Sequence, residues 1–239
     1  MKPYLILILL VTIAFASSLQ NSFVWDDRML ILDNPKINIS IKEIPILFKT
    51  SLWELPNGKH DPYYRPVLSL FYILNYKIWG PAPTGFHLTN IMLHIIIAVL
   101  LYKIGLMLFY DNKLLSLMAA SIFAVHPVHN ASVGRPGTGE VILGFFLIVS
   151  LYFFLREKRY LSWITFFLAL LSKELAVMFP VALIILAIHK NGLKKGIISI
   201  IPYFFFVSAY LILRAIIFGA VFGHSVDKPI FTRVMTMAV

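Results

Sequence analysis

The chain has 239 residues, 59% of them hydrophobic and only 13% charged, with a mean hydropathy of +0.84. Soluble domains carry about a quarter charged residues, so a soluble enzyme is excluded; at about 20 apolar residues per crossing, this length holds about six or seven membrane helices and one sizeable loop. The formal charge of +10 comes from 21 Lys and Arg scattered between apolar runs. That scatter points away from nucleic acid and toward anionic lipid headgroups or an anionic lipid-linked substrate. With no cysteine, disulfides, thiol catalysis and thiolate metal ligation are excluded.

The chain reads as one membrane domain, 1–239, in four parts. Residues 1–20 form a first span. Its Ala14-Phe15-Ala16 also fits a signal-peptide cleavage site, but an uncleaved span suits the apolar sequence downstream. Residues 21–84 form a long extracytoplasmic loop. Within it, Ile41, Ile44 and Phe48 fall at i, i+3 and i+7 among charged residues, which predicts a short interfacial helix. The apolar stretch 66–79, closed by Gly80-Pro81, is too short to cross and reads as a second interfacial or re-entrant helix. Residues 85–218 form a helical bundle, with spans predicted at 85–109, 114–128, 142–155, 161–171, 175–188 and 197–218, and 219–239 make an extracytoplasmic tail. Lysine and arginine favour the cytoplasm, which puts Lys113, Arg156–Arg159 and Lys194-Lys195 inside. The loops 20–65, 126–140 and 172–174 then share the extracytoplasmic face.

Those loops hold most of the groups capable of chemistry. Asp26 and Asp27 follow the first span directly; a carboxylate at that depth suits a general base, while the plainer reading is a solvated acid pair. A pair of acids also suits a divalent cation, but no other acidic cluster stands at ligating distance in sequence, so no dedicated metal site is expected. Arg65, in Tyr63-Tyr64-Arg65-Pro66, suits a headgroup phosphate or serves as an interfacial anchor. Asn90 and His94 share a helical face and are expected to bond to each other or across to another span. His126 and His129 are interrupted by Pro127 and lack a third ligand, which argues against zinc. The helix start at 137–140 offers backbone N–H groups to an anion beside Arg135. Only 11 apolar residues precede Ser172-Lys173-Glu174, about 16 Å of helix, so Lys173 and Glu174 are expected to sit below the outer surface, where unpaired charge is costly. Arg214, in the last span, is expected to snorkel.

In order along the chain stand Phe-Val-Trp-Asp-Asp, Tyr-Arg-Pro, Gly-Phe-His-Leu-Thr-Asn-Ile-Met-Leu-His, Phe-Ala-Val-His-Pro-Val-His, Gly-Arg and Leu-Leu-Ser-Lys-Glu. This set resembles the membrane part of the transmembrane and tetratricopeptide-repeat O-mannosyltransferases, of the GT-C glycosyltransferase superfamily, in a truncated form without the later helices and repeats. The resemblance implies an all-α, GT-C-like polytopic membrane bundle of about seven spans. It also implies transfer of a sugar, typically mannose, from a polyprenyl-phosphate donor to a protein Ser or Thr hydroxyl. By the same resemblance Asp26 and Asp27 carry the catalytic acids, and Arg65, Arg135 and Lys173 meet the donor phosphate. His126, His129, Glu140 and Glu174 support them. From the residues themselves no cofactor is expected, with a divalent cation at the acid pair as the alternative. After Gly134-Arg135 the family usually continues Ala-Asp/Glu-Leu-Leu, whereas this chain has Pro136-Gly137-Thr138-Gly139-Glu140. A plasma-membrane or endoplasmic-reticulum location is implied for a prokaryotic or eukaryotic host respectively. Two other classes fit the composition: a non-catalytic membrane partner, and a lipid-carrier binding protein or transporter.

Overall fold

A computed structural model describes residues 2–52 and 63–218, which are all-helical with irregular connections. The tail 219–239 and part of the first loop lie outside the described residues. Helix α1 (Pro3–Phe15) opens on a proline, which forfeits no hydrogen bond at the first helical position. The next loop is folded by local polar ties rather than by long helices. Asn34 Oδ1 accepts the Lys36 N–H at 2.9 Å, and the turn Ile41–Phe48 begins on a capping box of Ser40 and Glu43. The predicted helix at 41–48 is present as a 3-10 helix, tightened around Pro45. The backbone bond from Ser40 also holds the Glu43 carboxyl below the ordinary carboxylate range.

Helix α2 (Pro66–Trp79) comes next, then α3 (Pro83–Leu108), α4 (Lys113–Val125), the single turn α5 (Asn130–Val133), α6 (Glu140–Leu155), α7 (Arg159–Ser172), α8 (Phe179–Asn191) and α9 (Leu193–Phe218). Among the described residues, three helices are long and apolar enough to cross a membrane: Pro3–Gln20, Pro83–Leu108 and Leu193–Phe218. A fourth crossing results if α4 is taken with Pro127–Val133 across their 42° bend; α6 and α7 are shorter apolar helices. The bend lies at Pro127, where the predicted span 114–128 breaks after Val125 because proline brings no N–H to the preceding turn.

Each helix buries one stripe and leaves its other apolar residues outward, among them Ile13, Ile122, Ile164, Ile185 and Ile216. That outward apolar surface suits lipid rather than water. Inside are three clusters: α6 to α9 with Tyr64; α1 with α3, α4 and Val133; and the first loop with α2, Phe86 and Ile142. Polar side chains bind the bundle internally, as they must where water is absent. Ser150 Oγ of α6 donates to the Ser162 carbonyl of α7 at 2.8 Å, and the Ser162 hydroxyl lies 2.5 Å from Tyr203 Oη of α9. Asn90 and His94 do not bond to each other. Asn90 Nδ2 donates to the Val133 carbonyl at 3.4 Å, and His94 Nε2 lies 3.1 Å from the Ala124 carbonyl.

Candidate functional site

Where the three clusters meet, a cleft of about 330 Å³ opens between the first loop, the 135–140 loop and the start of the 173–178 turn. Asp26, Tyr63, Arg65, Arg135, Thr138, Glu140 and Lys173 line it. Five of the nine residues singled out from the sequence therefore share one cavity, although they span 147 positions of chain, from 26 to 173.

Trp25, just before the acid pair, stands at φ +52°, an uncommon and strained backbone region for a bulky residue. Asp26 beyond it is exposed and faces the cleft. Asp27 is buried, at 2% exposure. Its Oδ1 accepts the Gly137 N–H at 2.6 Å and its Oδ2 accepts the Val24 N–H at 3.0 Å. A Cβ at residue 137 would collide with Asp27 Oδ1, so glycine is what lets the backbone approach the carboxylate. The expectation that this helix start offers its N–H groups to an external anion therefore needs correction at Gly137, whose N–H is held by an acid 110 positions earlier. Gly139, at φ +71°, then turns the chain into α6.

The cations are held by acids. Arg65 makes a two-pronged bond to Glu174, with Nε donating to Oε2 at 2.9 Å and Nη2 to Oε1 at 2.6 Å, and its guanidinium lies 4.3 Å from the centre of the Tyr63 ring. Burial works to raise the Glu174 carboxyl, but the hydrogen bond and charge of Arg65 outweigh it and leave it below the ordinary range. Burial likewise opposes charge on Arg65, and Glu174 holds its guanidinium above the ordinary value. Lys173 donates to the Thr138 carbonyl at 2.9 Å and forms a short ion pair with Glu140. Glu140, paired with Lys173, and Arg135 line the same cleft. Arg135 itself makes no ion pair among the described residues. Its Nε reaches the Ala131 carbonyl at 3.5 Å, leaving most of its five donors open.

His126 and His129 stand apart from the cleft. His126 Nδ1 accepts the Val128 N–H at 3.2 Å and so caps its own turn, while His129 lies against Phe123 and His94 with ring centres 4.3 and 5.0 Å away. Among the described residues no group of three His, Cys, Asp or Glu is placed to hold a metal.

The sequence reading gives Tyr72 no part in the site and places Arg214 wrongly. Tyr72 is 1% exposed, its hydroxyl has no hydrogen-bond partner, and the charges of Arg65, Asp27, Glu140 and Asp26 all reach it. The available signal was its spacing, since residue 72 is seven after Arg65 and returns to the same helical face. Arg214 does not snorkel. It is 5% exposed, and its charge helps lower the Glu174 carboxyl.

Comparison with known proteins bears directly on this arrangement. The chain is 32% identical over 161 residues to the protein O-mannosyl-transferase TMTC3 of Homo sapiens, covering 66% of this chain and 17% of that protein. It is 30% identical over 208 residues to a protein O-mannosyl-transferase of Caenorhabditis elegans, covering 84% of this chain and 30% of the relative. The chain is a homologue of the TMTC protein O-mannosyl-transferases. The similarity extends to human TMTC4, 32% identical over 165 residues, 62% of this chain and 22% of the relative. The chain spans less than a third of the length of each of these relatives. No family model and no solved structure matches the chain.

Proposed function

We propose that the chain is the membrane part of a glycosyltransferase that moves mannose from a polyprenyl-phosphate donor to a protein Ser or Thr hydroxyl on the extracytoplasmic side of a membrane. In this reading the short helices α6, α7 and α8 also cross, which gives about seven spans, and the cleft opens outward. The membrane is that of the endoplasmic reticulum in a eukaryotic host or the plasma membrane in a prokaryotic one.

The observation that carries the reading is one cleft with an unencumbered carboxylate, Asp26, facing a half-buried guanidinium without an ion pair, Arg135. Asp26 accepts the proton of the acceptor hydroxyl as its oxygen attacks the sugar's anomeric carbon, and the bond from that carbon to the phosphate oxygen breaks with its electron pair leaving on phosphate. Arg135 meets the departing phosphate, assisted by the donors that Arg65 and Lys173 have left after pairing with Glu174 and Glu140. Asp27 keeps the 135–140 loop over the site and takes no proton.

The test is transfer of radiolabelled mannose from polyprenyl phosphate to a Ser/Thr-containing acceptor by the membrane-reconstituted protein. Asp26→Asn should slow transfer by about 10²–10⁴ with donor binding unchanged, and Arg135→Gln should weaken both. Donor binding without transfer in the wild type would make the chain a carrier-binding partner and overturn the catalytic assignment.

A further inference from the structure

A second cavity, of about 340 Å³, lies between α7 and α9 and is lined by Arg159, Trp163, Lys195, Ile198, Ser199 and Pro202. Arg159 opens α7, and Lys173 follows its last residue. The 14 residues of α7 place the cavity about 20 Å from the cleft, at the opposite end of that helix. No part of the proposed transfer uses it.

Its cations come from two helices, and Ser199 Oγ beside them already donates to the Gly196 carbonyl at 2.7 Å. Arg159 and Lys195 are both exposed, and neither makes an ion pair among the described residues. The charge of Arg159 reaches Tyr203 of α9. Trp163 Nε1 is buried with no hydrogen-bond partner, a donor that ordinarily finds one. Pro202, inside α9, brings no N–H to the Ile198 carbonyl one turn earlier, which leaves an acceptor on the cavity wall. The general preference of basic residues for one membrane side explains cations near this end, but not two of them on different helices framing one cavity with an unused indole donor.

The rim is apolar. Tyr160, Leu161, Ile164, Ile198 and Ile201 around it are exposed, the surface that acyl chains cover. We infer that this cavity binds the phosphate headgroup of an anionic glycerophospholipid. Arg159 and Lys195 hold the phosphate from either side, Trp163 donates to a phosphate or ester oxygen, and the Ile198 carbonyl accepts from a headgroup hydroxyl. Basic pockets between membrane helices take lipid phosphates in this way. The bound lipid would join α7 to α9, the pair already tied by Ser162 and Tyr203.

The experiment is native mass spectrometry of the full chain, delipidated and titrated with phosphatidic acid, with phosphatidylcholine and with inorganic phosphate. One phosphatidic acid should be retained in preference to phosphatidylcholine, and inorganic phosphate should not displace it. Arg159→Gln with Lys195→Gln should weaken that binding about thirtyfold, on the usual worth of two basic residues at a lipid surface. Lys42→Gln with Lys49→Gln removes the same charge from the exposed first loop and should change it less than twofold. Trp163→Phe, which keeps an aromatic filler without the donor, should weaken it several-fold. Circular dichroism of each variant checks that helix content is kept. Equal losses from both double variants, equal retention of the two lipids, or displacement by inorganic phosphate would each overturn the site.

Discussion

Exchanging either acid of the Asp26-Asp27 pair for asparagine should give opposite phenotypes, although the substitutions are chemically identical and adjacent. Asp27 is buried and each of its oxygens accepts one backbone N–H, from Gly137 at 2.6 Å and from Val24 at 3.0 Å. Asparagine keeps one acceptor and turns a donor toward the other N–H. A hydrogen bond to a charged group contributes about 1.5–3 kcal/mol, and a buried N–H left unsatisfied costs about 1–3 kcal/mol. The two are alternative descriptions of much the same loss, so Asp27→Asn should destabilise the protein by about 3 kcal/mol and loosen the 135–140 loop. Asp26 is exposed and no structural bond depends on it among the described residues. Asp26→Asn should therefore leave stability within about 0.5 kcal/mol while slowing the proposed mannose transfer by about 10²–10⁴. Denaturant unfolding in detergent, monitored by far-ultraviolet circular dichroism, gives the first quantity, and transfer from labelled donor gives the second. An Asp27→Asn protein as stable as wild type, or an Asp26→Asn protein that loses stability and keeps turnover, would refute the division of roles.

The Glu174 carboxyl, held low by Arg65, contributes stability that is present above its unfolded value of about 4.3 and lost as pH falls through the folded one. Acid unfolding monitored by circular dichroism should show that loss in wild type and a flatter profile in Glu174→Gln, and parallel profiles would contradict the pairing. Tyr72→Phe removes a buried hydroxyl without a partner, so denaturant unfolding should show unchanged or greater stability. A variant that loses stability would show that the hydroxyl is bonded in the folded protein. Since the chain has no cysteine, Asn38→Cys and Lys194→Cys can be labelled with an impermeant maleimide in intact vesicles. They should react from opposite sides, and labelling from the same side would overturn the topology.

Period, composition and sign of charge, all properties of the sequence by itself, determined the helices and the residues of interest. Apolar runs broken by Gly80-Pro81, Pro127 and Lys113 set helices within a few residues of those observed at 66–79, 83–108 and 113–125, because helix formation is local and proline acts within one turn. Spacing also put Asp26, Arg65, Arg135 and Lys173 among the residues of interest, since charges flanking apolar runs are few enough to stand out. Whether a charge is free to meet a ligand was decided only by tertiary structure. Asp26 and Asp27 are neighbours with the same chemistry, yet Gly137, 110 positions away, takes up one and leaves the other in the cleft. Glu174 occupies Arg65 from 109 positions away, and Glu140 occupies Lys173 from 33. Tyr72 carried only its spacing from Arg65 as a mark, and Arg214 carried none that distinguished burial from snorkelling. Each lies in an apolar helix, and only the helix's rotation against its neighbours buries the hydroxyl within reach of four charges and the guanidinium within reach of the charge on Glu174.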